Sequence, residues 1–324
     1  MKPFDFKDMN LIPKKGIVSS RSKCETGVML GKHYFKIPVV PANMSSIIDT
    51  EIAKKLAKNG YFYILHRFLS NEEILIFCKY MHSQDLIISL SLGVNKDSKE
   101  LFEILLENNL VPDYVTIDIA HGHCELMQNM LNFIDTKCNY YNKEKPFIIA
   151  GNISTQDAAN DLKEWGANAI KVGIGNGSVC TTYYCTGFGS RNIQASIINE
   201  IKTTLPIIAD GGVTCVGDVV KSLVLGATMV MSGGLYAGCV DLPGYNADGF
   251  VYHGSASSLE NKVDRIEGTS KVVSIKQDIL TENKFIIESI QSAISYGGGV
   301  DLHCFDTVEY TIIGQEKKNK LFLD

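Results

Sequence analysis

Short apolar runs rich in valine and isoleucine recur along the chain, and helix-like segments separate them. The runs do not alternate between apolar and polar residues, which is typical of parallel strands buried on both faces. Eight such strand–helix units in series favour an α/β fold of the (β/α)8 type, a TIM barrel, with an open doubly wound sheet as the alternative. The predicted strands cover residues 37–40, 61–65, 86–92, 114–119, 147–150, 169–172, 206–209 and 228–231.

The composition is that of one well-packed globular domain. The chain has 324 residues, of which 45% are hydrophobic, and its 28 glycines far outnumber its eight prolines. A single barrel often has this size, so we predict one catalytic domain over residues 1–324 without an inserted regulatory domain. The net charge of −5 argues against a protein that coats nucleic acid, but a small phosphorylated ligand needs only a few backbone amides.

The nine cysteines are odd in number, irregularly spaced and without a CxxC pair. This pattern predicts reduced thiols in place of a disulfide framework or a zinc site. The first residues resemble no signal peptide, and no stretch reaches the roughly 18 apolar residues that span a bilayer. We therefore expect a cytoplasmic protein with no membrane partner.

Polar or glycine-rich residues follow most of the predicted strands, where a barrel enzyme places its active site. After the eighth strand comes a stretch, residues 237–276, with charges and few helix signals. It is too long for an ordinary connection, and loops of this length usually serve as lids or binding loops. We predict an irregular, mobile flap there.

The most informative motif is the segment from Lys171 to Thr182, which reads KVGIGNGSVCTT and follows the sixth strand. Its glycines let a ligand approach the backbone, and the exposed amides of such a loop, with the Ser178 hydroxyl, form an anion-binding nest. Cys180 lies in this polar loop, so we predict a nucleophile there, although a cysteine taken at random is usually inert. The other eight cysteines are expected to be inert and buried.

Two glycine pairs, Gly211-Gly212 and Gly233-Gly234, follow the seventh and eighth strands. Barrels often bind phosphate there, because glycine leaves backbone amides uncovered. Asp210 cannot favour a phosphate itself, and its expected task is to accept hydrogen bonds from ribose hydroxyls. Two ordinary tight turns would also explain the glycines, but their barrel positions favour a nucleotide site.

These motifs, with Pro41-Ala42-Asn43-Met44 and Phe4-Asp5-Phe6, resemble the IMP dehydrogenase/GMP reductase family from about residue 4 to residue 300. The resemblance implies a (β/α)8 barrel assembled as a homotetramer, with Cys180 attacking the purine carbon between the two ring nitrogens. It also implies that the backbone carbonyls of Gly175, Gly177 and Cys180 hold a monovalent cation such as K⁺. Asn176 stands where the family usually has proline, and asparagine is the less rigid residue in a turn.

Three features favour the reductase branch of the family. No domain interrupts residues 61–92, the chain has no Arg-Tyr dipeptide, and Glu267 precedes Gly268 where dehydrogenases carry glutamine. The resemblance then implies a GMP substrate, the cofactor NADPH, and catalytic roles for Thr182 and Glu267 beside Cys180. A dehydrogenase without the regulatory insert, and a nucleotide-binding barrel that has lost catalysis, remain as alternatives.

The resemblance assigns further residues to the two ligands. Gly254, Ser255 and Ala256 are expected at the base of the substrate, together with the nucleotide-binding residues Ser178, Asp210, Gly211, Gly212, Gly233 and Gly234. The expected cofactor residues are Arg67, Asp118, Ala120, His121 and Gly122, with Ser295 and Tyr296 from the same chain or a neighbouring subunit. The pair His121 and His123 also suggests a metal site, but two histidines alone do not complete a ligand set.

Overall fold

The structure, a computed structural model, describes residues 3–254 and 268–313. The α-helices in this part of the chain are α1 (Thr50–Lys58), α2 (Asn71–Ser83), α3 (Lys96–Glu107), α4 (Glu125–Tyr140), α5 (Gln156–Glu164), α6 (Thr182–Thr186), α7 (Gln194–Glu200), α8 (Val216–Val224) and α9 (Ile279–Tyr296). Short 3-10 helices cover Phe6–Asp8, Arg21–Lys23 and Leu302–Thr307.

The strands are β1 (Met9–Leu11), β2 (Val28–Leu30), β3 (His33–Phe35), β4 (Val39–Pro41), β5 (Ser89–Leu92), β6 (Tyr114–Asp118), β7 (Phe147–Ile153), β8 (Ala169–Val172), β9 (Ile207–Asp210), β10 (Met229–Ser232), β11 (Tyr245–Asn246), β12 (Gly249–His253), β13 (Ser270–Val273) and β14 (Tyr310–Ile312). The first and last of these strands pair antiparallel, so the two ends of the described chain lie side by side.

The central sheet is the parallel wall of a (β/α)8 barrel. Seven parallel strands follow the order β4-β10-β9-β8-β7-β6-β5. The eighth position belongs to the segment 61–65, whose Leu65 exchanges backbone hydrogen bonds with Ser89 and Ser91 of β5. On the other side of this segment, Lys36 N donates to Gly60 O just before β4. The predicted barrel is thereby confirmed.

A packed plug fills one end of the barrel and leaves the other end for the site. The hairpin of β2 and β3 brings Leu30 and Phe35 into a buried cluster with inward residues of the barrel strands. The rings of Phe35 and Phe62 lie 4.9 Å apart, and those of Phe62 and Tyr114 lie 5.0 Å apart. Tyr114 begins β6, so this cluster closes the amino-terminal end of the strands.

Side chains that cap the amino-terminal turn stabilise the start of several outer helices. The Asp49 side chain accepts from Ile52 N at the start of α1, and Ser70 and Glu73 form a capping box at the start of α2. Asn95 and Thr155 cap α3 and α5 in the same way. Each cap satisfies an amide that the first helical turn leaves without a partner.

The stretch 237–276 differs from the irregular flap that the sequence predicts. Within its described residues, β11, β12 and β13 form a three-stranded antiparallel sheet, in which Phe250 pairs with Val273. Residues 249–253 alternate between buried and half-exposed positions, the pattern of a strand with one covered face. The remaining residues of the stretch, 255–267, lie outside the described chain. No helix in the described ranges is long and apolar enough to cross a bilayer.

Candidate active site

A cavity of about 240 Å³ opens at the carboxyl ends of the barrel strands. The loops after β4, β6 and β8 contribute to its wall, together with Asp210 at the end of β9 and Tyr252 of β12 in the small antiparallel sheet. Parallel strands end at the same edge of a barrel, so side chains distant in sequence meet there. The predicted residues that line this cavity are Arg67, Asp118, Ala120, Gly175, Gly177, Cys180, Thr182, Asp210 and Gly254.

Cys180 lies half-buried in the cavity wall, directly before α6. Its sulfur donates to Thr182 Oγ1 over 3.3 Å, and its backbone amide donates to Gly177 O over 3.0 Å. Its backbone also pairs antiparallel with Gly268, the residue after Glu267 in the sequence. The thiol and the Thr182 hydroxyl thus lie next to each other in the cavity wall.

Lys171 is the electrostatic centre of the cavity floor. Its ammonium group contacts Asp118 Oδ1 at 2.8 Å and Asp210 Oδ2 at 2.6 Å, and it also donates to Asn152 Oδ1. Asn152 Nδ2 donates to the same Asp210 oxygen at 2.7 Å, and Asn43 Nδ2 donates to Asp118 Oδ2 at 3.1 Å. The network joins β6, β7, β8 and β9 with the loop after β4, and it holds both carboxylates in place.

Burial and charge pairing act in opposite directions on this network. Burial alone would raise the pKa of Asp118, but the charges of Lys171 and Arg67 and the hydrogen bonds to the carboxylate lower it below its usual value. Burial would lower the pKa of Lys171, but Asp118 and Asp210 raise it well above its usual value. The charged forms of both groups are therefore favoured around neutral pH.

Asn176 ties the Cys180 loop to the neighbouring strand. Its Nδ2 donates to Ser190 Oγ over 2.9 Å and to the backbone carbonyl of Asp210 over 3.3 Å. The side chain is buried. Hydrogen bonds thereby provide a restraint at the position where the family usually has proline.

The backbone after β9 depends on glycine. Gly211 and Gly212 have φ values of +79° and +78°, a conformation that other residues adopt only at a cost. A Cβ on Gly211 would also approach Asn176 Cβ to 3.0 Å. After β10, the Tyr252 hydroxyl lies 2.2 Å from the place that a Cβ on Gly233 would occupy. The Tyr252 hydroxyl and the backbone of Gly233 therefore lie next to each other at a position where the sequence predicts phosphate binding.

The predicted cofactor residues of the β6 loop have different surroundings. Ala120 lines the cavity, whereas His121 is exposed. Gly122 is buried against the β7 backbone, where its amide donates to Asn152 O over 2.7 Å and a Cβ would lie 2.8 Å from the carbonyl carbon of Gly151. His123 Nε2 lies 2.7 Å from Asp161 Oδ2 on α5. In the described ranges, no three His, Cys, Asp or Glu side chains form a metal-ion cluster.

Besides Lys171, Arg67 brings a cationic side chain to the cavity wall. Its guanidinium carbon lies 4.9 Å from the Phe68 ring centre. Its Nε is buried and has no hydrogen-bond partner in the described part of the chain. An arginine with donor capacity to spare fits a phosphate-bearing cofactor.

Some predicted residues do not line the main cavity. Ser178 and Gly212 line a second cavity of about 310 Å³ on the other side of the Cys180 loop, with Arg191. Ser295 and Tyr296 end α9, and Tyr296 is 59% exposed with Arg21 over its ring. Gly234 is in the turn after β10 but does not line the main cavity. The predicted site residues Ser255, Ala256 and Glu267 lie outside the described residues.

The three carbonyls predicted to hold a monovalent cation belong to the Cys180 loop. One of them, the oxygen of Gly177, accepts from Cys180 N and also from Arg191 Nη1 at 3.4 Å. A guanidinium at this oxygen competes with a cation for the same lone pairs. With Arg191 in this position, the carbonyl set fits a K⁺ ion poorly.

The cysteines differ more in burial than the sequence predicts. Cys24, Cys78, Cys138 and Cys239 are buried, and burial raises the pKa of Cys78 and of Cys239 to about 12. Cys185 and Cys215, expected to be buried, are instead exposed. Cys185 lies on the solvent side of the five-residue helix α6, and Cys215 precedes α8 at the surface. Among the nine, Cys180 is the thiol in the main cavity wall.

Sequence reasoning missed Lys171, Asn152 and Tyr252 as parts of the site. Lys171 carried a readable signal, because a lysine within the buried strand Ala-Ile-Lys-Val requires a charged partner. Asn152 is recognisable only as a polar residue at a strand end. Tyr252 belongs to a segment that the sequence analysis treats as irregular, so no signal placed it near Gly233.

A half-buried thiol, a carboxylate held by Lys171 and glycine turns with uncovered backbone lie at the carboxyl ends of the barrel strands, where barrel enzymes carry their active sites. Comparison with known proteins gives the family. The IMP dehydrogenase / GMP reductase domain matches residues 3–314, and the chain belongs to this family.

Several curated relatives are similar over nearly their whole length. GMP reductase of Mycoplasma mycoides is 45% identical over 325 residues, covering 98% of this chain and 100% of the relative. GMP reductases of Pediococcus pentosaceus and Enterococcus faecalis are 44% and 45% identical, each covering 99% of this chain and 98% of the relative. The resemblance inferred from the motifs is confirmed.

Proposed function

We propose that this chain is a GMP reductase that converts GMP and NADPH into IMP, ammonia and NADP⁺. The observation that carries the proposal is the placement of the Cys180 thiol and the Thr182 hydroxyl on one cavity with Asp210. The names of the relatives support the substrate and the direction of the reaction. For its oligomeric state and its localisation, we continue to predict a homotetramer in the cytoplasm.

In the proposed reaction, the Cys180 sulfur forms a bond to the purine carbon that bears the 2-amino group. Thr182 and Glu267 deliver the protons with which the amine leaves as ammonia, because an unprotonated amine is a poor leaving group. The product of this half is a thioimidate that links Cys180 to the base. Covalent attachment divides a difficult exchange of amine for hydrogen into two easier steps.

Arg67, Asp118 and Ala120 would hold NADPH, which would supply the hydride that replaces sulfur at this carbon. Cys180 would then leave the carbon as the free thiolate. The chain's own residues orient the two ligands. Asp210, held by Lys171 and Asn152, accepts from the ribose hydroxyls of GMP. Arg67 is proposed for the cofactor phosphate, and Asp118 and Ala120 for the nicotinamide side. The K⁺ site that the resemblance implies at the carbonyls of Gly175, Gly177 and Cys180 is not part of this proposal, because Arg191 donates to Gly177 O.

The remaining predicted residues are proposed to bind the phosphate and the base of GMP, or the cofactor. The amides of Gly211, Gly212, Gly233 and Gly234, with Ser178, are proposed for the GMP phosphate. The Tyr252 hydroxyl beside Gly233 adds one donor to them. Gly254, Ser255 and Ala256 are proposed for the base, and His121, Gly122, Ser295 and Tyr296 for the cofactor.

The decisive assay mixes the purified protein with GMP and NADPH, follows the absorbance at 340 nm and identifies IMP among the products. We expect NADPH to be consumed only when GMP is present. A dehydrogenase without its regulatory insert would instead form NADH from IMP and NAD⁺ and leave the first mixture unchanged. A barrel that has lost catalysis would bind GMP and turn over neither mixture.

The role of Cys180 has a matched control within the same loop and helix. Cys180→Ala should bind GMP almost normally and lose turnover, because the thioimidate cannot form. Cys185→Ala removes an exposed thiol five positions further along and should leave turnover unchanged. If Cys180→Ala still forms IMP, covalent catalysis must be given up even if the assay itself succeeds.

A further inference from the structure

Arg191 places a positive charge against the Cys180 loop. Its Nη1 donates to Gly177 O over 3.4 Å, and its guanidinium carbon lies 4.9 Å from the centre of the Tyr184 ring in α6. The side chain is half-buried. The charge is thus held between the loop that precedes Cys180 and the helix that follows it.

The backbone that carries Arg191 is itself fixed to the loop. Ser190 N donates to Ile174 O over 2.8 Å, and Ser190 Oγ accepts from Ile174 N and from Asn176 Nδ2, both over 2.9 Å. Ser190 is fully buried. Because its chain neighbour is anchored in this way, Arg191 reaches Gly177 from a defined position and not from a loose surface segment.

The carbonyl of Gly177, which accepts from Arg191, also accepts a second hydrogen bond. Gly177 O also receives the amide hydrogen of Cys180, so the carbonyl lies between the guanidinium and the backbone of the nucleophile. It is one of the three carbonyls that the resemblance assigns to K⁺. A guanidinium is permanently charged and hydrogen-bonds directionally, so it satisfies the oxygen without any ion from solution.

We propose that Arg191 supplies from within the chain the positive charge that K⁺ was expected to supply at the Cys180 loop, so that the loop reaches its reactive arrangement without added K⁺. The inference rests on the proposed function, in which this loop presents the nucleophile. It adds a positioning residue to that function, since Arg191 acts through Gly177 and not on the substrate.

The test compares potassium chloride with sodium chloride at equal ionic strength. Two quantities are measured: GMP turnover, and the rate at which iodoacetamide alkylates Cys180, resolved from the other cysteines by peptide mass spectrometry. The proteins are the wild type, Arg191→Ala, Arg191→Lys and the control Lys7→Ala. Lys7 is an exposed cation that lines the same second cavity. Thermal unfolding of each variant verifies that it is folded.

For the wild type and Lys7→Ala, we expect exchange of K⁺ for Na⁺ to change both rates by less than about twofold. Arg191→Ala should be slower in Na⁺ by about tenfold or more, the rate equivalent of one charge-assisted hydrogen bond, and K⁺ should restore it. Arg191→Lys should fall between them, because a lysine keeps the charge but not the planar geometry.

Three results would overturn the proposal. In the first, the wild type requires K⁺ for its normal rates. In the second, Arg191→Ala reacts as fast in Na⁺ as the wild type does. In the third, Arg191→Ala is slow and K⁺ does not restore its rates, so Arg191 only supports the loop structurally. The alkylation rates decide between these even if no variant reduces GMP, so a failure of the inference is distinct from a failure of the proposed function.

Discussion

At the scale of single residues, Lys171 shows how one buried charge organises the cavity floor. Its side chain is 3% exposed, and its ammonium group is surrounded by Asp118, Asp210 and Asn152. Two carboxylates at the ends of different strands would repel each other without it. The residue therefore serves the fold and the proposed ribose contact at once.

Replacement of Lys171 by methionine should destabilise the protein strongly. The change preserves much of the side-chain volume but leaves Asp118 and Asp210 without their buried counter-charge, which typically costs about 3–5 kcal/mol. Urea unfolding measures the difference, with Lys163→Met on the exposed face of α5 as the control. A loss below about 1 kcal/mol would show that Asn152 and solvent suffice to hold the carboxylates.

The lowered pKa of Asp118 predicts a specific pH window. A carboxyl group whose pKa is lower in the folded state stabilises the fold above its unfolded pKa, near 3.8, and loses that contribution as the pH falls through the folded value. The free energy of unfolding of the wild type should thus approach that of Asp118→Asn as the pH falls below the unfolded pKa, near 3.8. The exposed Asp97→Asn is the control, and a difference that stays constant over this window would contradict the assignment.

At the scale of elements, close contact between neighbouring strand ends decides where the site residues lie. The loop after β6 touches β7 through Gly122, and the β7 residue beneath it is Asn152, a partner of Lys171 and Asp210. Gly151 likewise leaves room for Lys171, because a Cβ there would lie 2.6 Å from that of Lys171. Glycine at these contacts lets the strand ends approach and share the charged network.

Gly122→Ala tests this contact. The new methyl group would lie 2.8 Å from the carbonyl carbon of Gly151, so the loop or β7 must shift, and we expect a loss of about 1–3 kcal/mol together with weaker nucleotide binding. Gly217→Ala in α8 is the matched control, since its nearest neighbour is the Cys215 sulfur at 3.5 Å. Equal unfolding free energies for the two variants would show that the loop after β6 moves to accommodate the methyl group without displacing β7.

At the scale of the whole molecule, the predicted homotetramer has a consequence for Tyr296. Tyr296 is largely exposed on the outside of the barrel, where it lines a third cavity with residues near both chain ends. If Tyr296 contacts the cofactor of a neighbouring subunit, each complete site needs two chains. The prediction therefore concerns the assembly of the subunits as well as the role of Tyr296.

Hybrid enzymes provide the measurement. Cys180→Ala and Tyr296→Ala are each expected to be poorly active alone, but co-expression should form sites that take Cys180 from one chain and Tyr296 from its neighbour. Activity above the sum of the separate variants, with a tetrameric mass by light scattering, is the expected outcome. Mixing purified variants without subunit exchange serves as the control. Purely additive activity would exclude a shared site.

The strand–helix rhythm favoured the barrel but left an open doubly wound sheet as the alternative. Seven of the eight predicted strands overlap strands of the central sheet, because both-face burial makes parallel strands visible as apolar runs. The segment 61–65 joins only through Leu65, a detail of hydrogen bonding that apolar composition does not encode. The small sheet of β11 to β13 was missed because its strands are short and interrupted by polar residues.

By itself the sequence determined the fold, the family and the loop with Cys180, because periodicity and local motifs are properties of neighbouring residues. The tertiary structure alone decided that Lys171 joins Asp118 to Asp210 and that Arg191 reaches the carbonyl of Gly177. Lys171 is separated from its two carboxylates by whole strand–helix units, and their meeting depends on the closure of the barrel. Charge pairing between distant strand ends leaves almost no local pattern, so only the assembled fold reveals it.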